Sequence, residues 1–276
     1  MPGDAGHPAG FGSIGSERQC GETMGLRDLA YGAYERRLAA RIDPERRPRH
    51  IGVIMDGNRR WAKAVGEHIA TGHQRGADKI HDMLEWCEEA GVEVVTLWLF
   101  STDNFNRPAA ELDDLLRIIE GSVRSLAETG RWRVRPVGAL DLMPGDFTRT
   151  MKEIAADTSE NPGLVVNAAI CYGGRREIAD AVRSLLAEHA DRGTTIEDLA
   201  QVIDVEHITE HLYTAGQPEP DLIIRTSGEQ RLSGFLLWQS AHSEFYFCEA
   251  YWPAFRKIDF LRALRDYARR HRRYGA

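Results

Sequence analysis

The chain has 276 residues, 42% hydrophobic and 28% charged, with 35 Lys plus Arg against 42 Asp plus Glu for a net charge of −7. These values describe a soluble globular protein of one or two domains with a sizeable core, and they exclude a nucleic-acid binder working by bulk charge. No apolar run approaches the roughly 18 residues that span a bilayer, the start lacks the apolar core of a signal peptide, and Cys20, Cys87, Cys171 and Cys248 form no paired motif, so a cytoplasmic protein with reduced thiols is expected.

Residues 1–24 are rich in Gly, Ser and Pro and poor in large apolar groups, the composition of a disordered extension; the folded domain is expected over 25–276. The spacing of Leu26, Leu29, Tyr31, Tyr34 and Leu38 predicts an amphipathic helix over 26–41. Ile51 to Met55 then reads as a buried strand. It ends in the charged turn Asp56-Gly57-Asn58-Arg59-Arg60 and leads into helix-forming residues from Trp61. A strand that stops at such a turn and feeds a helix leaves free N–H groups where an anion is favoured, and Gly57 lets the backbone approach it. Asp56 would repel a phosphate, so its natural use there is to hold Mg²⁺ bridging to one. A solvated charge cluster is the plainer alternative.

Further along, a helix is predicted over 75–90 with Ile80, Met83, Leu84 and Cys87 inward and Gly91 ending it. Apolar strands follow at 92–100, 133–138, 164–170, 221–225 and 245–248, with helices over 110–128, 147–157, 177–189, 206–213 and 256–273 between or after them. This alternation predicts an α/β single domain, a central parallel sheet flanked by helices. In such sheets ligands bind beyond the carboxyl ends of the strands. Three of those ends carry polar or cationic loops: 56–60, 101–107 and 225–233. In the last, Arg225 and Arg231 with Ser233 can clamp a diphosphate, two surface arginines in salt bridges being the alternative. His207, Glu210 and His211 match the letter of an inverted zinc-protease motif, but they lie in a polar stretch with no third ligand in view, as solvated helix residues commonly do.

The matching stretches are His-Ile-Gly-Val-Ile-Met-Asp-Gly-Asn-Arg-Arg-Trp-Ala at 50–62, Phe-Ser-Thr-Asp-Asn-Phe-Asn-Arg-Pro at 100–108, Asn-Ala-Ala-Ile-Cys-Tyr-Gly-Gly-Arg-Arg-Glu-Ile at 167–178, and Asp-Leu-Ile-Ile-Arg-Thr-Ser-Gly-Glu-Gln-Arg-Leu-Ser-Gly-Phe-Leu-Leu-Trp-Gln at 221–239, with Ser-Glu-Phe at 243–245. On them the chain from about 48 to 275 resembles the cis-prenyltransferase family, the undecaprenyl diphosphate synthase-like enzymes. The resemblance implies a homodimer with a hydrophobic tunnel and Mg²⁺-dependent condensation of isopentenyl diphosphate onto an allylic diphosphate, forming a Z double bond. It matches Asp56 to the aspartate that assists Mg²⁺ and diphosphate departure. Gly57, Asn58, Arg59 and Arg60, with Trp61 and His73 beside them, match the allylic diphosphate cradle. Asn104 matches the residue implicated in removing the proton, and Ser101, Thr102, Asp103, Phe105 and Arg107 belong to the same loop on the allylic side. Arg225, Arg231, Leu232 and Ser233 match the isopentenyl diphosphate site, and Glu244 matches a second Mg²⁺ ligand. The aspartate-rich motifs of trans-prenyltransferases are absent from the sequence.

The chain departs from the pattern at several positions. Ile69 stands where an Arg is usual, Asp103 and Phe105 where Glu and Trp are frequent, Gly234 where Asn is frequent, and Arg59 where Gly is common. Leu99 replaces a small residue of long-chain members at the tunnel lining. Added bulk there predicts a short product such as Z,E-farnesyl diphosphate; a medium- or long-chain polyprenyl diphosphate is the alternative. A non-catalytic partner subunit is disfavoured because Asp56, Asn104, Arg225, Arg231 and Glu244 are all present. A fold-sharing enzyme that condenses and cyclises two five-carbon units stays open. The arginines of 256–273 offer a peripheral membrane contact as an alternative to a solvated face, and Arg273-Tyr274-Gly275 resembles the family's terminal Arg-x-Gly.

Overall fold

The computed structural model describes residues 26–270; the expected disordered extension at 1–24 and the Arg273-Tyr274-Gly275 ending lie outside them. Six strands form one parallel sheet in the order β3-β4-β2-β1-β5-β6. They are β1 (His50–Ile54), β2 (Val94–Trp98), β3 (Arg133–Val137), β4 (Val165–Ala169), β5 (Leu222–Arg225) and β6 (Glu244–Phe247). The helices are α1 (Leu26–Ala39), α2 (Asn58–Val65), α3 (Ile69–Glu89), α4 (Ala109–Glu128), α5 (Gly145–Asp157), α6 (Gly174–Asp191), α7 (Ile196–Val202), α8 (Val205–Thr209) and α9 (Lys257–Arg269).

Every residue of β1 is buried, which explains its unbroken apolar run: a central parallel strand is covered on both faces. Ile51 and Val53 point into the larger core with Ile80, Leu84, Leu115 and Phe260. Ile54 points the other way, into a smaller cluster with Ile223, Tyr172, Phe235 and Leu236. From β1 the chain moves to β2 on one side, whereas from β5 it moves to β6 on the other. A crevice therefore opens between the carboxyl ends of β1 and β5, at the topological switch point where ligands bind in open α/β sheets. Ile54 pairs with Arg225 there, so the charged turn after β1 faces the end of β5.

Some boundaries differ from the sequence reading. Helix α3 starts at Ile69, with His68 Nδ1 accepting from Ala70 N at 3.3 Å as its cap. Gly72 and His73, outside the helix expected over 75–90, are therefore helical. Gly72 is needed for close approach: a Cβ there would run into the Asn58 carbonyl oxygen and sit 2.9 Å from the Ala62 Cβ. Tyr34, read as inward-facing on α1, is 42% exposed, while Leu38 is buried. Helix α7 was not foreseen in its polar segment. In α9, Lys257, Arg262 and Arg265 are ion-paired to Glu89, Asp259 and Asp266, and Arg270, just after it, to Glu244. Among the described residues no helix is long and apolar enough to cross a membrane.

The α2–α3 contact generates a prediction with a diagnostic sign. Helix propensity alone would make Gly72→Ala stabilising by about 1 kcal/mol. The clash with α2 instead predicts a loss of about 1–3 kcal/mol in urea denaturation.

Candidate active site

Three chain segments meet at the crevice. Gly57, at φ +104, caps α2 without any side-chain hydrogen bond to the first turn; a Cβ there would lie 2.7 Å from Tyr251 Cδ1. The helix thus presents uncapped N–H groups to whatever lies beyond β1, a ready anion site. Thr226, directly after β5, ties the turn down: Asp56 N donates to its hydroxyl at 2.9 Å, and the hydroxyl donates to Asp56 O at 2.7 Å.

The Asp56 carboxylate is gripped on both oxygens. Arg225 Nη2 donates to Oδ2 at 2.9 Å, and Arg60 Nη2 lies 3.1 Å from Oδ1. Arg60 also donates to Ser227 Oγ at 2.7 Å and pairs with Glu229 at 3.1 Å. Burial raises the Asp56 carboxyl, but hydrogen bonds from Arg225 and Ser227 and the Arg60 charge outweigh it and hold the group below the ordinary value. Arg225 is only 4% exposed. Its Nη1 donates to Ser233 Oγ at 3.0 Å and to the Arg231 carbonyl, while its Nε has no partner. Arg231 itself is exposed and pairs with Glu229. Leu232 packs against the smaller core, and Ser233 is held at φ 52.

A second cationic group lies across the crevice. Glu111, in the first turn of α4, draws in Arg107 Nη1 at 3.0 Å, Arg59 Nε at 3.5 Å and His73 Nε2 at 3.8 Å. Burial first, then the Arg107 charge, pushes the His73 imidazole down from 6.5 to about 4 against the raising effect of Glu111. Burial likewise lowers Arg107, opposed by Glu111. The 101–107 loop is closed by Asn104, whose Oδ1 accepts from Ser101 N at 2.9 Å. Thr102 N donates to the Tyr172 carbonyl at 3.2 Å, Asp103 is exposed, and Phe105 meets Phe100 edge-on at 5.2 Å.

Below these charges a cavity of about 300 Å³ descends between α3 and α4. Asp56, Asn58, His73, Asn104 and Arg225 stand around its mouth, and Ile80, Leu99, Leu115, Ile118 and Ile119 line its depth. Beside it, Gly57, Arg59, Arg60 and Arg107 share a polar hollow with Asp56 and His73. The structure thus brings together residues from all three loops, with Trp61 half-buried in α2 nearby, whereas Thr102, Phe105, Arg231 and Leu232 line neither space. Ile69 supplies no charge at the head of α3; the guanidiniums come from Arg59, Arg60 and Arg107.

Glu244 stands apart. It pairs in register with Leu222, the first residue of β5, at the opposite end of that strand from Arg225, and it binds Arg270 at 2.7 Å. Within one chain it does not join Asp56. His207 and His211 are engaged separately, one accepting from Asp204 N at 3.0 Å and the other 2.9 Å from Ser184 Oγ. Glu111 and Thr226 were missed by sequence reasoning. Glu111 reaches His73 across 38 positions and Thr226 reaches Asp56 across 170, so only Glu111's spacing of four from Arg107 was a signal.

Among the described residues no cluster of three His, Cys, Asp or Glu could hold a metal alone. The crevice instead offers the Asp56 carboxylate and, on Asn58, a buried carbonyl oxygen without a partner. One carboxylate beside anion-binding groups suits Mg²⁺, which usually completes its shell with water and substrate phosphate.

Known proteins share this sequence and fold. The family described as "Putative undecaprenyl diphosphate synthase" matches residues 54–275. The chain is 62% identical over 250 residues to isoprenyl transferase 1 of Streptomyces avermitilis, covering 91% of this chain and 97% of that protein. It is also 62% identical over 251 residues to the (2Z,6E)-farnesyl diphosphate synthase of Thermobifida fusca, covering 91% and 98%. Among solved structures, lavandulyl diphosphate synthase from Lavandula x intermedia in complex with dimethylallyl diphosphate superposes with a TM-score of 0.78 at 34% identity, covering 84% of this chain and 100% of that one.

His73 provides a stability test. Its folded value lies near 4 and its free value at 6.5, so the unfolded chain takes up the proton first as pH falls. Its contribution is complete above pH 6.5 and is lost progressively towards pH 4. Buried His50, also pushed down to about 4, acts in the same window and remains in both proteins compared. Between about pH 6.5 and 4.5, wild-type unfolding free energy is expected to drop more than that of His73→Gln by on the order of 2 kcal/mol. Parallel curves would contradict the buried, neutral assignment.

Proposed function

The chain belongs to the undecaprenyl diphosphate synthase family of cis-prenyltransferases, and from that premise we propose that it condenses isopentenyl diphosphate with a short allylic diphosphate to give a short-chain Z-prenyl diphosphate. One observation carries the reading: an apolar cavity opens directly beneath an anion crevice walled by guanidiniums and one carboxylate. A diphosphate ester with a hydrocarbon tail matches both halves.

In this reading the allylic diphosphate sits over the α2 N-terminus, with Arg59, Arg60, His73 and Arg107 around it. Its hydrocarbon lies among Ile80, Leu115 and Ile119. Isopentenyl diphosphate takes Arg225, Arg231 and Ser233. The allylic C–O bond breaks, the terminal double-bond carbon of isopentenyl diphosphate attacks the allylic carbon, and the tertiary cation so formed loses a proton from the methylene on its diphosphate side to give the new double bond. Preorganised cations stabilise the departing charge without reorganising at that moment, and the apolar walls keep water from the cation. Mg²⁺ held at Asp56 would neutralise the leaving group further. Asn104 lines the mouth where the proton departs; an amide is too weak a base to retain it, so we assign Asn104 to positioning, with a diphosphate oxygen as acceptor.

Leu99 supports the short product. It lines the cavity and packs against the core, with its N–H fixed to the Ala169 carbonyl at 3.0 Å, so its side chain takes space a longer chain would need. A homodimer is the proposed assembly: β6 is an edge strand, and Phe247 at its end is 37% exposed. Glu244 has its expected metal role only if the assembly or a conformational change brings it towards a crevice.

The test is product analysis with labelled isopentenyl diphosphate, Mg²⁺ and dimethylallyl, geranyl or farnesyl diphosphate. A single addition to geranyl diphosphate is expected, and Leu99→Ala should lengthen the product by at least one five-carbon unit. Long polyprenyl products from wild-type protein would overturn the short-chain reading. No turnover with any starter would favour a non-catalytic partner subunit.

A further inference from the structure

Trp98 ends β2 on the face of the sheet opposite to Leu97 and Leu99, and the strand register sets its neighbours. Val53 pairs with Leu97, so one position further on Trp98 stands level with Ile54, which pairs in turn with Arg225. Side chains paired across parallel strands share a face, and Trp98 and Ile54 both belong to the smaller cluster. Trp98, Ile54 and Arg225 therefore form one row along the carboxyl edge of three adjacent strands. At the usual strand spacing the backbones of Trp98 and Arg225 lie about 10 Å apart, with Ile54 between them. All three line the mouth of the cavity together with Ser233.

The indole is held as a platform. Phe235 stacks on it at 5.1 Å with the ring planes 14° apart, and Tyr172 meets it edge-on at 6.4 Å. Gly52 makes room for this arrangement: a Cβ there would lie 3.0 Å from the Phe235 ring and 3.1 Å from Leu236. Phe235 covers one face of the indole. Trp98 is nonetheless only partly buried and lines the cavity, which leaves the other face open to it. The indole nitrogen is buried and has no hydrogen-bond partner. A buried tryptophan ordinarily satisfies that group, so hydrogen bonding does not account for tryptophan at this position. What an indole offers beyond a smaller aromatic ring is the side-chain face that attracts a cation most strongly.

Resting on the prenyl-transfer reading above, we propose that Trp98 is a catalytic residue: the isopentenyl group lies on its open face, and the indole stabilises the positive charge that develops on the branched carbon. With the diphosphate on Arg225 and Ser233, the five-carbon group extends along the row over Ile54 and ends against Trp98. Formation of the new carbon–carbon bond places the charge on that branched carbon. Loss of a proton from the methylene on its diphosphate side, to a diphosphate oxygen, then discharges it; the indole forms and breaks no bond. Attraction between a cation and a ring face strengthens where water is excluded. The isopentenyl group is neutral before the bond forms, so the attraction acts on the transition state rather than on binding. The allylic hydrocarbon lies on the other face of the sheet, among Ile80, Leu115 and Ile119, and the two reactants meet over the strand ends.

Fluorination of this one ring tests the proposal, because it draws charge from the indole face while leaving its volume almost unchanged. Mono-, di- and trifluorotryptophan are placed at position 98 of the full chain by nonsense suppression, and Trp98→Phe and Trp98→Leu are made alongside. The single-turnover rate of condensation with Mg²⁺ and geranyl diphosphate is measured, together with the affinity for isopentenyl diphosphate and thermal melting. The rate is expected to fall stepwise with each fluorine, about tenfold or more by the third, at near-constant affinity. Trp98→Leu should fall at least as far, and Trp98→Phe less. A rate that is flat along the fluorinated series, or a loss confined to affinity, would overturn the proposal, since packing depends on ring volume and not on ring charge. Trp98→Leu at the wild-type rate would overturn it too, and the fluorinated series decides the matter if that variant does not fold. Wild-type protein that turns over no starter would instead overturn the prenyl-transfer reading, and this proposal with it.

Discussion

The structure depends on a carboxylate held between two guanidiniums at the point where the sheet changes direction. Arg225 is almost wholly buried and could not remain so as an isolated charge, because unpaired burial of an ion costs several kcal/mol. Asp56 compensates it at 2.9 Å and holds Arg60 on its other oxygen at 3.1 Å. Parallel pairing of Ile54 with Arg225 brings these charges together. The opposite directions of the connections after β1 and β5 leave the space above them open for a ligand.

The same economy recurs across the crevice, where Glu111 gathers Arg59, Arg107 and His73. Both carboxylates keep cations close together while offsetting their mutual repulsion. Arriving phosphates can replace these carboxylates as the partners of the arginines, with the donors already in place. Such preorganisation is what stabilisation of a departing diphosphate needs. The uncapped start of α2 contributes in the same direction, and the glycines that allow it, Gly57 at positive φ and Gly72 against the Asn58 carbonyl, serve geometry rather than propensity.

Much of this was legible in the sequence. Continuous apolar runs ending in polar turns announced a buried parallel sheet, and the endings at 56–60, 101–107 and 225–233 do converge. Composition and periodicity mark strands well because β1 is buried along its whole length. They failed at Gly72, where a helix-weakening residue is retained because another helix's backbone lies against it. They also failed at α7, a short helix in a polar segment. The Glu111 hub was hidden because its meaning comes from three partners brought together by tertiary structure. Glu244 illustrates the reverse: its motif is plain in the sequence, yet one chain places it at the far end of β5 from Asp56.

The most direct measurement is diphosphate affinity without divalent metal, by calorimetric titration of wild type and Asp56→Asn with a non-hydrolysable allylic thiodiphosphate. If Asp56 holds Arg60 and Arg225 as internal counter-ions and repels the incoming anion, the substitution should tighten metal-free binding several-fold, roughly 1 kcal/mol, while turnover with metal is lost. Weaker metal-free binding, or unimpaired turnover, would contradict the account.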